Sequence, residues 1–250
     1  MKNLLKCEYA RLFRSTFIWT VIYALLMFLV IFFLGDYWIY TDLPLSVRET
    51  YNNDGSLFAN LMPLMIVIPI FISSFIGTEF SDGTIRNKLV SGKTHFQIYI
   101  TDYIVSFSLA AILNVLLLVL EYIFGGIFFE GAREITFEKI GTFLLYSTVF
   151  LAAYTAIFVI IPLLVQKKST ANTLCGLGCF LMYLSPSIFE VLRSYKKIFD
   201  KLYIYLPNCC LYRVSHLSDE KMMAAMICSF AIVFGLIFIG VFTFRKENIK

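Results

Sequence analysis

Charge is scarce in this chain. Only 15% of its 250 residues are Asp, Glu, Lys or Arg, where an average soluble chain has about a quarter. With 59% hydrophobic residues and a mean hydropathy of +0.79, a soluble domain of this length could not hide its apolar side chains. The net charge of +4 is small and spread along the sequence, which argues against nucleic acid as a partner. Histidine occurs twice, at His95 and His216, and no His-Glu-x-x-His pattern exists, which excludes the common zinc peptidase arrangement. No Gly-x-Ser-x-Gly elbow is present either. The six cysteines form no disulfide framework: Cys209 and Cys210 are adjacent, while Cys175, Cys179 and Cys228 lie in apolar runs as small hydrophobes. Cys175 and Cys179 share a helix face, but with no His or acid near them in sequence no metal site is expected.

What the sequence does have is long apolar runs. A helix needs about 20 apolar residues to cross a bilayer. Six runs qualify, at about 17–35, 57–77, 98–124, 141–165, 169–189 and 222–244. The fold class expected is therefore all-α, a polytopic membrane protein of six spans forming one transmembrane domain over residues 1–250. Residues 1–15 mix Lys2, Lys6, Arg11 and Arg14 with Leu5, Tyr9, Leu12 and Phe13 at helical spacing, as in an amphipathic helix lying at the membrane interface. A signal peptide is disfavoured, because the run that follows is long enough to span and no small-residue cleavage site comes after it. Lys and Arg gather at the N-terminus, at 86–93, at 167–168 and at 245–250. By the positive-inside rule these segments and both termini are cytoplasmic. The connection between the fourth and fifth runs is tiny (Gln166–Ser169), which predicts a tight helical hairpin. The 190–221 connection reads as a short amphipathic helix ended at Pro207.

The densest pattern falls between the second and third runs, GTEFSDGTIRNKLVSGKTHFQIYITDYI. Asp82 is placed to cap a short helix, and Gly92 to end it in a left-handed turn. Acids (Glu79, Asp82) precede bases (Arg86, Lys88, Lys93), in keeping with the helix dipole. Ile85 and Leu89 form a small apolar ridge. A helix this short needs something to dock against. Gly92-Lys93-Thr94 ends like a phosphate-binding loop, but the glycine that such a loop needs five residues earlier is Asn87, so the match is a coincidence. No nucleotide-binding or catalytic motif is present, and the chain is not expected to be an enzyme.

Polar residues within the runs are candidates by default. Asp102 lies near the cytoplasmic end of the third run, within reach of water or Lys93. Glu121 lies toward its outer end and faces either the bundle interior or the surface. Asn114, deeper, suits an interhelical hydrogen bond. Pro63 and Pro69 are expected to kink the second span.

The second span running into E-F-x-D-G-T-I-R-N-K-L-V-S-G-K, followed by an aromatic-rich third span, resembles the permease subunits of type-2 ABC exporters. The resemblance implies that Glu79, Asp82, Gly83, Thr84, Ile85, Arg86, Asn87, Lys88, Leu89 and Val90 form a coupling helix seated in a groove of an ATPase subunit. In that reading Glu79, Arg86 and Lys88 meet charges on the ATPase, while Ile85, Leu89 and Val90 fill an apolar groove. The implied partners are a separate ABC ATPase, carrying the ATP and Mg, a second permease copy or homologous permease, and membrane lipids. The chain itself holds no cofactor. Spans one and five, with Gly176 and Gly178, are the expected permease contact. The implied cargo is a hydrophobic or amphipathic drug, antimicrobial peptide or lipid. Two rival classes are a stand-alone secondary transporter, for which inverted repeats and charged midplane sites are missing, and a membrane immunity protein that sequesters a peptide.

Overall fold

The computed structural model describes residues 1–15, 61–128, 137–195, 205–212 and 219–246, together with 18–20, 22, 23, 25–27 and 30. The described residues are helical, with no strand among them. The helices are α1 (Lys2–Arg14), α2 (Met62–Ser81), α3 (Thr84–Val90), α4 (His95–Phe128), α5 (Phe137–Val165), α6 (Lys168–Tyr195), α7 (Pro207–Tyr212) and α8 (Asp219–Lys246). Five of them, α2, α4, α5, α6 and α8, are long and apolar enough to cross a bilayer. A sixth span is reached if α1 and the helical stretch 18–27, bent from it by 59°, are counted together. Most of the expected first span (17–35) and of the 35–56 connection lies outside the described residues.

α2 is the central post. Leu64, Met65, Ile68, Phe71, Ile72, Phe75 and Ile76 are all buried, and the helix packs against both α5 and α6. Two side chains reach its backbone at the point where Pro69 withholds an amide from Met65: the Tyr154 hydroxyl donates to the Met65 carbonyl at 2.6 Å, and the Cys179 thiol approaches the same oxygen at 3.4 Å. The carbonyl left open by proline is thus satisfied from neighbouring helices, as a water-poor interior requires. Pro63 has a different role from the one expected. It sits in the first turn of the described helix, where its missing N–H costs nothing, and so opens α2 rather than kinking it. The helix also starts and ends later than 57–77, and Glu79 belongs to the last turn of the span. Prolines also lie inside α5 at Pro162 and α6 at Pro186.

Tight approaches set the helix spacing. On α8, a Cβ at Gly240 would overlap the buried ring of Tyr99, coming within 2.5 Å of its Cζ. The Tyr99 hydroxyl donates to the Leu236 carbonyl at 3.2 Å, fixing α8 on α4. Gly77 of α2 lets Lys168 at the start of α6 come close, its Cα lying 3.2 Å from where a Cβ would stand. Of the two glycines expected at a permease contact, Gly178 faces inward, where a Cβ would meet the Phe158 ring at 3.3 Å, while Gly176 faces open space. The α5–α6 hairpin turns on Gln166, which adopts φ 57°.

In the 190–221 connection, α6 continues to Tyr195 and Pro207 begins a short buried helix; most of the amphipathic helix expected before Pro207, at 196–204, lies outside the described residues. Burial pushes the Cys210 thiol up to about 12, so it behaves as a core side chain. On the outer face, α8 presents Phe230, Phe234, Phe238 and Phe242 in one exposed stripe at four-residue spacing. Such a stripe suits contact with lipid tails.

Candidate functional site

The segment between α2 and α4 folds through two hinges, each explained by its residues. Gly83, at φ 67°, makes the turn out of α2 in the left-handed region that favours glycine. The Thr84 hydroxyl donates to the Glu79 carbonyl at 3.0 Å, closing the end of α2. Asp82 does not cap α3: it terminates α2, its side chain accepts from the Ser81 hydroxyl at 3.2 Å, and Gly83 is the N-cap. Gly92 does end α3 in the left-handed region, at φ 82°. The Lys93 N–H donates to the Lys88 carbonyl at 3.1 Å and the Gly92 N–H to the Leu89 carbonyl at 2.9 Å, the paired bonds of a Schellman stop. Thr94 and Gln97 then form a reciprocal capping box that starts α4, with bonds of 3.2 and 3.3 Å. Gly92-Lys93-Thr94 is therefore a hinge between helices.

α3 turns its functional-looking side chains inward. Ile85 is 1% exposed and Leu89 packs against the core. Lys88 points beneath the helix, into a cluster that draws on four elements. Its Nζ lies 2.5 Å from Glu79 Oε2, 2.7 Å from Glu8 Oε1 and 3.8 Å from Asp102 Oδ1. Arg11 pairs with Glu8 at 2.9 Å and also with Glu79, and its guanidinium carbon stacks 3.9 Å from the centre of the Phe75 ring. Glu8, Glu79 and Asp102 are all buried. The Tyr9 hydroxyl donates to Ser108 Oγ at 2.9 Å, which pins α1 along α4 beside the cluster.

Burial by itself would lower the Lys88 pKa, but the carboxylates of Asp102, Glu79 and Glu8, with the hydrogen bond to Glu79, outweigh it and hold the pKa above its ordinary 10.5. A raised folded pKa means that the ion pairing contributes fully below the ordinary value and is lost only as pH rises through the raised one. Lys88 is thus a fixed positive charge at neutral pH. The carboxylate oxygens of Glu8, Glu79 and Asp102 lie within 4.8 Å of one another, a spacing that would suit a cation. Here the Lys88 ammonium and the Arg11 guanidinium serve that purpose.

The structure redistributes the residues singled out in the sequence. Glu79, Ile85 and Lys88 lie inside the chain and are not on offer to a partner, while Arg86, Asn87 and Val90 face outward, Val90 at 82% exposure. Asp102 faces Lys88 and not Lys93. Asn114 donates to Ser147 Oγ at 2.8 Å and Thr148 Oγ1 at 3.3 Å on α5. Glu121 is buried, so it faces the interior. Two members of the cluster, Glu8 and Arg11, went unassigned in the sequence. A signal for Glu8 was present: it is the only acid in residues 1–15, and it shares the four-residue spacing of the buried Leu4 and Leu12. A lone acid on the apolar stripe of a basic helix implies a buried cationic partner.

A bundle that is helical throughout its described residues, with five or six helices long and apolar enough to cross a bilayer, is a multi-pass membrane protein. Residues 4–186 match the family model described as ABC-2 family transporter protein, and the chain belongs to that family, as a membrane permease component of an ABC-2 type transporter. The matched region includes the entire cluster and the α5–α6 hairpin as far as Pro186. No curated protein sequence matches the chain.

Proposed function

We propose that the chain is the permease subunit of an exporter driven by a separate ABC ATPase, with α3 as its coupling helix. The observation that carries this reading is the ionic cluster. It joins α3, a short helix between two spans, to α1, the end of α2 and the start of α4, so a push on α3 is delivered to all of them at once. The ATPase, with its ATP and Mg, meets the outward face of α3, chiefly Arg86, Asn87 and Val90. Both termini and α3 then lie in the cytoplasm, as the Lys and Arg distribution favours. Five or six spans are few for a pathway, so a second permease copy or a homologous permease completes it. The cargo is hydrophobic or amphipathic, and the family's general dependence on an ABC ATPase supports export powered by ATP.

The test is co-purification of the cognate ATPase on tagged permease, with compounds then screened for stimulated ATP hydrolysis. The double variant Arg86→Glu, Val90→Asp alters only outward side chains. It is expected to lower ATPase recovery roughly tenfold, equivalent to about 1.4 kcal/mol, with membrane expression unchanged and transport reduced in parallel. Full ATPase recovery and full transport in that variant would end the coupling-helix reading.

A further inference from the structure

The ionic cluster does not balance. Three carboxylates (Glu8, Glu79, Asp102) face two cations (Arg11, Lys88). Fully ionised, it holds one surplus negative charge where Glu79 and Asp102 are both 0% exposed, and a lone charge kept from water is heavily penalised. The shortfall is concentrated at Asp102. Neither of its carboxylate oxygens receives a hydrogen bond, and its Lys88 contact is 3.8 Å, against 2.7 and 2.5 Å for Glu8 and Glu79. A fully buried acceptor without a donor, aimed into an acidic cluster, calls for a small cation. The Lys88 ammonium already stands among the three carboxylates, so a metal ion would have to displace it. A proton needs no room.

We propose that this cluster is a proton-binding site that holds one exchangeable proton, shared among the three carboxylates and centred on Asp102. Loading transfers a proton from hydronium to one carboxylate oxygen: an O–H bond of hydronium breaks, a carboxyl O–H bond forms, a water molecule is released, and the cluster becomes neutral. The charged groups facing Asp102 are Glu8 and Arg11 from α1, Glu79 from α2 and Lys88 from α3. A cavity of about 90 Å³ lined by Arg11, Ser15, Ser74, Phe75 and Thr78 adjoins the cluster at Arg11 and is large enough for an ordered water. Interacting carboxylates of this kind titrate as a set. The site does not depend on how α3 meets a partner, so it stands or falls separately from the coupling reading.

The experiment is infrared difference spectroscopy of the full chain in lipid nanodiscs, stepped in pH, with the melting midpoint followed in parallel. Expected is a protonated-carboxyl carbonyl band, shifted by deuterium oxide, that disappears as pH rises. It is lost in Asp102→Asn, an uncharged near-isostere that balances the cluster permanently, and that variant also loses the fall in melting midpoint that the wild type shows as pH rises from the ordinary carboxylate range to the point where the band disappears. Glu79→Gln removes the same surplus charge by another route and also shifts or abolishes the band. Glu121→Gln, altering a different buried carboxyl, leaves it intact. Absence of the band in the wild type overturns the proposal, as does its survival in both cluster variants or its loss in Glu121→Gln. A missing band together with a melting midpoint raised by sodium or calcium, an effect abolished by Asp102→Asn, would replace the proton with a metal cation.

Discussion

Asp102 and Asn114 sit on the same helix, roughly 18 Å apart along its axis, and both are fully buried, yet their surroundings meet opposite demands. Asn114 is neutral. Two hydroxyls on one neighbouring helix accept its amide protons, and the result is a modest tie between α4 and α5. Asp102 is an acid, and its burial draws in groups from three further elements. A neutral side chain in an apolar bundle can be held by hydroxyls of one neighbouring helix. A buried charge recruits an assembly, because each member left alone would be costly. That is why the end of the bundle around α3 is mechanically joined while its middle is held mostly by apolar packing.

The sharpest way to break this contrast is Lys88→Ala. It leaves three carboxylates facing Arg11 alone, and removing one partner of a buried ion pair costs about 3–5 kcal/mol. Thermal unfolding of the purified chain should show a large fall in midpoint, with Lys88→Arg retaining most of the stability. A small effect from Lys88→Ala would mean that the cluster is hydrated and loose.

Gly240→Ala comes next. The added methyl meets the Tyr99 ring, which is buried and tied to Leu236, so α8 must move away from α4. Overpacking of this kind costs about 1–3 kcal/mol. The same measurement should register it, and Tyr99→Phe combined with Gly240→Ala should not restore stability, because the ring and not the hydroxyl is the obstacle.

Asn114→Ala should cost less, about 0.6–2 kcal/mol, the range for interhelical hydrogen bonds in membranes. A loss as large as that of Lys88→Ala would erase the distinction between the neutral and ionic sites. The smallest effect is expected for Val90→Ala, whose side chain touches solvent: stability should stay within about 0.5 kcal/mol of wild type. If Val90→Ala lowers the midpoint as Lys88→Ala does, α3 is not oriented as described.

The apolar runs, the helical class, the α5–α6 hairpin and the Gly92 stop were all legible in the sequence, because each depends on composition or on local backbone chemistry. A run of about 20 apolar residues needs no knowledge of its neighbours to be identified as a span. The motif from Glu79 to Lys93 made the family legible too, but the hinge at Gly83 was not read, because Asp82 beside it looked equally able to cap α3. The inward face of α3 was not legible. Ile85 and Leu89 form a ridge that would serve a partner's groove or the chain's own core equally well, and helical spacing cannot tell which. The same holds for charge: Glu79, Arg86 and Lys88 look alike in sequence, but only Arg86 is exposed.

What the sequence determined by itself was therefore one-dimensional: which stretches are helical, roughly how long they are, and that they belong in a membrane. The tertiary structure alone decided that Glu8, Arg11, Glu79, Lys88 and Asp102, separated by up to 94 positions in the chain, form one buried cluster. It also decided that Pro63 and Pro207 begin helices and that Glu79 and Lys88 face inward. The reason is physical. Helix periodicity and capping are settled within a few residues, whereas the pairing of buried charges depends on which helices meet and at what depth, and that is fixed only when the whole bundle packs.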